Sequence, residues 1–133
     1  MRTIATRLRP GSDLRAELEA LATREGLRAA LVLTCVGSLS EVGLRMANQS
    51  DTERFTGDYE IVSLVGTISL DGPHLHMSVS DAAGATIGGH LQDRNIVRTT
   101  AEVVLGELTA VDFRRPIDPE TTFDELEIVP RDG

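Results

Sequence analysis

The sequence has no lysine and no tryptophan, and its aromatic residues are three phenylalanines and one tyrosine. All 13 basic residues are therefore arginines, and with 21 aspartates and glutamates the net charge at pH 7 is −8. Proteins that bind DNA usually present a basic surface, because contacts with phosphates release counterions. Recognition of single strands also needs aromatic side chains on which bases stack. We therefore do not expect this chain to bind DNA directly.

Cysteine and long hydrophobic runs are scarce as well. Cys35 is the only cysteine, so no disulfide can form within the chain, and its place in an apolar stretch predicts a buried, unreactive thiol. The longest unbroken apolar stretch, residues 29–33, is much shorter than the roughly 20 residues that cross a membrane. The N-terminal residues contain no hydrophobic signal segment. We expect a cytoplasmic protein with no membrane contact.

The 133 residues are enough for one compact domain, which we predict to span residues 1–133. A helix is predicted after Ser12, which would cap it, with a stop at Gly26. Its apolar residues recur at helical spacing and are Leu14, Leu18, Leu21 and Ala22. Alternating or continuous apolar patterns predict strands at residues 2–9, 29–39, 42–47, 59–70, 74–81, 86–91 and 96–113.

These elements together predict an α+β fold, a mostly antiparallel sheet with one early helix packed on it. A polar loop is expected at residues 48–57, and a helix is an alternative for 96–113 because Thr99 interrupts the alternation. The core should occupy about residues 4–126. From residue 114 to 133 prolines and acids dominate, which predicts an irregular acidic arm packed through Phe123, Leu126 and Ile128.

All three histidines fall within a short stretch, at positions 74, 76 and 90. Alternate residues of a strand point the same way, so His74 and His76 share one face while Leu75 and Met77 occupy the other. A hairpin that turns near Gly84 brings His90 beside them. The sequence therefore predicts that the three imidazoles converge on one polar sheet face.

Three converging imidazoles are suited to a divalent metal ion, in the first place zinc. Three protein ligands with an open fourth position are typical of sites that accept water or substrate, whereas structural zinc sites normally have four protein ligands. We interpret His74, His76 and His90 as metal ligands. The alternative is a polar sheet face on which three ordinary histidines hydrogen-bond to their neighbours.

Three further residues are candidates for roles around the ion. Glu102 and Thr100 share the polar face of the predicted last long strand; Glu102 is the candidate general base or partner of a ligating imidazole, and Thr100 a candidate ligand-binding residue. Arg45, between two apolar residues, is a candidate for binding an anionic group. A solvated glutamate and an ordinary ion pair are the alternatives for Glu102 and Arg45.

Several short motifs resemble those of the plants-and-prokaryotes-conserved (PPC) domain, a family that is also catalogued as a domain of unknown function. The resemblance covers about residues 4–126 and rests on RLRPGSDL at 7–14, VGSL at 36–39, LR at 44–45, GDYEIVSL at 57–64, GPHLH at 72–76 and GGHL at 88–91. It implies an α+β fold, a homotrimer and, as in prokaryotic members, a metal ion, often zinc, on the histidines that match His74, His76 and His90.

Three functions remain open from the sequence. The first is a small metal-binding protein with an open coordination position, as an enzyme or as a sensor. The second is a DNA-binding or regulatory protein that acts through a trimeric PPC domain; plant members carry an AT-hook, but Leu8 stands here where the hook needs glycine. The third is a cupin-like metalloenzyme with Asp81 as the acid, although the proline-glycine element before the last histidine is missing.

Overall fold

The computed structural model describes residues 1–132 of the chain. It contains one helix and eight strands. In chain order these are β1 (Arg2–Leu8), α1 (Leu14–Arg24), β2 (Ala29–Arg45), β3 (Thr52–Ser69), β4 (Gly72–Ser80), β5 (Thr86–Leu91), β6 (Ile96–Glu107), β7 (Val111–Arg114) and β8 (Glu127–Pro130).

Six strands form one sheet in the order β1-β6-β2-β3-β4-β5, and β7 pairs with β8 in a separate two-stranded sheet. Every pairing is antiparallel. The far end of β2 also pairs with β5, through Leu44 opposite Leu91 and Arg45 opposite His90. Strands β2, β3, β4 and β5 therefore form a closed ring, which brings the end of β2 next to the hairpin that carries the histidines.

The core lies between α1 and one face of the sheet. The four apolar helix residues predicted from spacing are all buried, and they belong to the same cluster as the inward residues of the long strands. The α+β fold with an antiparallel sheet and one early helix is thus confirmed. The helix is capped by Asp13, not by Ser12: the Asp13 carboxylate accepts the Ala16 N–H at 3.3 Å, while the backbone of Ser12 is bonded to Arg9 and Val97.

Three strand predictions differ from the structure. Residues 29–39 and 42–47 belong mostly to one strand, β2, which passes through an irregularity between Leu39 and Glu41 instead of ending there. The predicted loop at 48–57 is shorter, because β3 begins at Thr52 opposite Arg45. Residues 96–113 are extended and not helical, but a turn divides them into β6 and β7. In the first two cases strand pairing overrides the local polar residues.

The C-terminal arm is also more ordered than predicted, since it contains β8, paired along its whole length with β7. Its apolar side chains do not enter the core: Phe123, Leu126 and Ile128 are 72%, 39% and 60% exposed. The arm is instead attached by polar contacts, among them the Arg115 N–H donating to the Asp71 carboxylate at 2.8 Å. Among residues 1–132, no helix is long and apolar enough to span a membrane.

Candidate metal centre

The three histidines come together on the hairpin formed by β4 and β5. His76 lies directly opposite His90 in the strand register, and His74 lies two residues before His76 on the same face. The ring centroids are 5.1 Å apart for His74 and His76, 5.0 Å for His74 and His90, and 5.5 Å for His76 and His90. The predicted convergence of the imidazoles is confirmed.

Core packing holds this hairpin in place. Leu75, Met77 and Val79 alternate with the polar residues of β4 and are at most 2% exposed, and Leu91 anchors β5 in the same way. A one-residue slip of β4 would expose these side chains and bury the histidines. The hydrophobic core therefore fixes which face the imidazoles occupy.

A glycine permits the close approach of β2 to this hairpin. A Cβ atom at Gly89 would lie 2.8 Å from the backbone oxygen of Arg45, a distance at which one of the two strands would have to move. Glycine at this position lets Arg45 pair with His90.

The donor set fits a divalent ion. One ring nitrogen from each histidine can be chosen so that the three atoms lie within 4.8 Å of one another. A tetrahedral ion with nitrogen ligands at about 2.0–2.1 Å needs nitrogens roughly 3.3 Å apart, so small side-chain movements suffice. Among the described residues, these histidines are the one group of three histidine, cysteine or acidic side chains that lie close enough together to hold a metal ion.

The environment keeps two of the imidazoles neutral, the form in which histidine binds metal. Burial, and then the positive charge of Arg45, lower the pKa of His90 to about 4. Burial is also the main reason why the pKa of His74 lies below its usual range, followed by the charge of Arg115. Protons therefore compete weakly for these two rings at neutral pH.

Two adjoining cavities flank the histidines, with volumes of about 470 and 440 Å³, and both are lined by His74, Arg115 and Glu125. His76 lines the first cavity. His90 and Arg45 line the second, together with Phe123 from the arm. The histidines thus form one wall of a site whose other wall comes from the C-terminal arm.

Comparisons with known proteins agree with this architecture. The sequence profile of the Plants and Prokaryotes Conserved (PCC) domain, the family abbreviated PPC above, matches residues 1–109. The chain belongs to this family. The match includes β1 to β6 and all three histidines, and it ends before the arm. The PCC domain therefore supplies the three histidines, and residues outside the family match supply the facing wall.

Individual relatives extend the similarity over almost the whole chain. A bifunctional protein GlmU of Synechococcus sp. (strain JA-2-3B'a(2-13)) is 46% identical over 127 residues, 96% of this chain but 20% of the relative. The chain thus spans about a fifth of the length of that curated protein. A solved structure of a hypothetical protein from Salmonella enterica has a TM-score of 0.96 and 45% identity, covering 98% of this chain and 94% of the other.

A third similar protein is the metal-containing protein AF0104 from Archaeoglobus fulgidus. It has a TM-score of 0.82 and 23% identity, with 96% of this chain and 94% of that chain covered. At this level of identity the comparison shows that the two proteins share a fold.

Within the PCC domain, the predicted helper residues lie in different places. Arg45 lines the histidine site, as its pairing with His90 requires. Glu102 lies on β6 opposite Val36 of β2, where it lines a separate shallow cavity with Arg7. Positions 36 and 45 are roughly 30 Å apart along an extended strand. Within one chain, Glu102 is therefore remote from the histidines, and its role at the metal stays a prediction.

Thr100 likewise lies on β6 and lines neither cavity next to the histidines. Its backbone oxygen would be 2.1 Å from a Cβ at Gly37, so this part of β6 is packed tightly against β2. The Thr100 hydroxyl is buried and makes no hydrogen bond within the described residues. A ligand-binding role for Thr100 has no support from its position in the single chain.

Sequence reasoning missed the residues that the arm contributes, chiefly Arg115 and Glu125. Arg115 directly follows Arg114 in the sequence, and nothing in the local pattern distinguishes the two. In the structure Arg114 forms an ion pair with Asp71, whereas Arg115 lines both cavities. The difference arises in the tertiary structure: β7 ends at Arg114, and the Arg115 side chain that follows donates a hydrogen bond to Thr67 on β3.

Proposed function

We propose that this chain is a cytoplasmic metal-binding protein of the PCC-domain family. His74, His76 and His90 hold one divalent ion, zinc in the first place, and an open coordination position accepts water or a small ligand. The observation that carries the proposal is the approach of three imidazole nitrogens to within 4.8 Å of one another. Three histidines without a fourth protein ligand leave such a position free.

The surroundings support an ion that binds ligands from solution. His76 is exposed and the other two histidines are half-buried, so the ion would lie at the floor of an accessible cavity. The lowered pKa values of His74 and His90 keep these ligands ready to bind. The Archaeoglobus protein with the same fold is described as metal-containing, which is in keeping with the proposal.

We also propose that the protein functions as a homotrimer, as the family resemblance implies. On the outer face of β2 and β3, Leu33, Val36, Val62 and Val65 are 44–56% exposed. The register of the two strands places these side chains side by side, since Leu31 lies opposite Thr67 and Gly37 opposite Ile61. An apolar stripe of this kind is typical of an interface between subunits. Light scattering coupled to size-exclusion chromatography measures the subunit number.

The experiment that tests the metal site is elemental analysis of untagged protein purified without chelators. We expect about one zinc, iron or manganese ion per chain in the wild type. His76→Ala should lose most of the metal, because a two-ligand site binds far more weakly. Ser78→Ala, two residues along on the same face, is the matched control and should retain the ion.

Circular dichroism establishes that each variant remains folded. An unchanged metal content in folded His76→Ala contradicts the proposal. A metal-free wild type that also fails to bind added zinc contradicts it as well, and the histidines would then be an ordinary polar face of the sheet.

A further inference from the structure

Arginines in this acidic protein are generally neutralised by carboxylates. Among residues 1–132, eight of the 13 arginines form ion pairs. Arg45 and Arg115 are not among these eight, although three acidic residues line the same cavity. The two arginines beside the histidines therefore keep charges that no carboxylate in the described chain compensates directly.

Both guanidinium groups are held by neutral acceptors. Arg45 Nη1 donates to the backbone oxygen of Gln49 at 3.2 Å. Arg115 Nη2 donates to Thr67 Oγ1 at 3.1 Å, and its Nη1 donates to the backbone oxygen of Asp124 at 3.4 Å. The Nε atom of Arg115 is buried and has no hydrogen-bond partner among the described residues. The cations are thus positioned by the protein without being neutralised.

The three acids of the cavity form no ion pair with these two arginine side chains. The Asp71 carboxylate is shared between the Arg114 side chain, 3.7 Å away, and the Arg115 N–H. Asp124 is exposed and Glu125 half-buried, so solvent screens both. Three imidazole ligands bring no negative charge to a divalent ion. An ion on the histidines would therefore add two positive charges to those of Arg45 and Arg115.

We propose that the open position of this site binds a small organic oxyanion, a carboxylate or a phosphate ester. One oxygen of the anion approaches the ion, and its negative charge is bound by Arg115 and Arg45. This inference rests on the metal site proposed above. A guanidinium group suits both anions because its planar donors match two oxygens at once. The cavity of about 440 Å³, with Phe123 in its lining, has room for an organic group behind the anion.

Because Arg115 belongs to the C-terminal arm, the arm takes part in selecting the ligand. The family match ends at residue 109, so the metal ligands lie inside it and Arg115, Phe123 and Glu125 lie beyond it. A change in the arm can therefore alter the ligand without changing the three histidines. In this chain, the wall selects an anion.

The test uses the full chain, loaded with zinc and verified by elemental analysis. Malonate and inorganic phosphate are titrated separately by calorimetry, with uncharged malonamide as the ligand control. A cobalt-substituted sample shows by its absorption spectrum whether the anion reaches the ion. We expect Arg115→Gln to keep one zinc per chain and to weaken anion binding roughly tenfold to a hundredfold, the loss of one charge-assisted contact.

Arg24→Gln is the matched control, because Arg24 is an exposed residue of α1 that forms no ion pair among the described residues and lines neither cavity beside the histidines. Its affinity for the anions should stay within about threefold of the wild type. Arg45→Gln is a second test variant. Because Arg45 lies on β2 and not in the arm, this variant tests the anion site even if Arg115→Gln disturbs the arm. We expect Arg45→Gln to weaken anion binding roughly tenfold. Binding of malonate alone identifies a carboxylate ligand, and binding of phosphate alone identifies a phosphate ester. Binding of both supports the general oxyanion site.

Two results overturn the inference while leaving the metal site intact. One is zinc-loaded wild type that binds neither anion; the other is folded Arg115→Gln and Arg45→Gln proteins that bind anions as the wild type does. A chain that holds no zinc overturns the proposed function, and this inference with it. Elemental analysis separates that result from the other two.

Discussion

The two walls of the candidate site are built in different ways. The histidine wall belongs to β4 and β5, whose alternate residues, such as Leu75 and Met77, are buried in the core. The arm wall belongs to the segment between β7 and β8, where Phe123 is 72% exposed and the attachments are polar contacts such as that of Arg115 with Thr67. Both walls face the same space, but the core fixes only the first.

This difference suits the two tasks that we propose for the site. Metal binding needs several ligands held at fixed distances, which a packed sheet provides. Ligand recognition tolerates variation, and segments outside regular core packing vary most readily. The boundary of the family match, at residue 109, falls between the two walls.

The largest expected effect tests the difference in packing. Leu75→Ala removes a side chain that is 2% exposed, and we expect it to lower the free energy of unfolding by about 2–5 kcal/mol. Phe123→Ala, at a position that is 72% exposed, should change it by at most about 0.5 kcal/mol. Urea denaturation of the metal-free protein measures both. A loss above about 2 kcal/mol at Phe123 would show that the arm is covered in the assembled protein and is as tightly packed as the sheet.

An intermediate effect concerns the electrostatic link between Arg45 and His90. Because burial is the larger cause and Arg45 the next, Arg45→Gln should raise the pKa of His90 from about 4, yet leave it below 6.5. NMR titration of the imidazole protons in metal-free protein measures this shift, with Arg114→Gln as the control. An unchanged His90 titration would show that the two side chains do not interact.

The same lowered pKa has a defined consequence for stability. The unfolded chain takes up a proton on this histidine near pH 6.5, whereas the folded chain does so only near pH 4. Stability contributed by neutral His90 is therefore complete above pH 6.5 and is lost as the pH falls toward 4.

The smallest effect is expected for the charge of the arm. Glu125→Gln removes a negative charge from the cavity lining, so we expect malonate to bind the zinc-loaded protein about two- to threefold more tightly, a modest gain because solvent screens the carboxylate. Glu127→Gln, an exposed residue of β8, makes the same charge change outside the cavity and should leave the affinity unchanged. Weaker binding in Glu125→Gln would instead indicate that this carboxylate assists the ligand.

The helix and the histidine face of the sheet were predictable because the local sequence pattern and the overall fold agree there. The helix residues Leu14, Leu18 and Leu21 have helical spacing and are buried. The histidine face followed from alternation alone, since a strand has a period of two residues. Metal binding by these histidines stays a prediction, but their convergence did not require knowledge of the rest of the chain.

Other parts of the structure were not predictable, because alternation along a strand gives the face of the sheet that a residue occupies but not its position within the sheet. Glu102 shares the polar parity expected of a residue at the site, yet sheet order sets it beside Arg7 and Val36. The start of β3 was predicted as a loop, because its residues are polar and become a strand only through their pairing with β2. The apolar residues of the arm were predicted to pack against the domain, yet Phe123 and Ile128 are exposed.

The short periodicities of helices and strands were enough to predict the α+β class, the helix and the common face of His74, His76 and His90. Tertiary structure alone decided that Arg45 and Arg115 meet these histidines. Arg45 reaches them because β2 closes on β5, and Arg115 because the β7 and β8 pair directs the arm toward the cavity. Both contacts join residues that are distant in sequence, which no local pattern records.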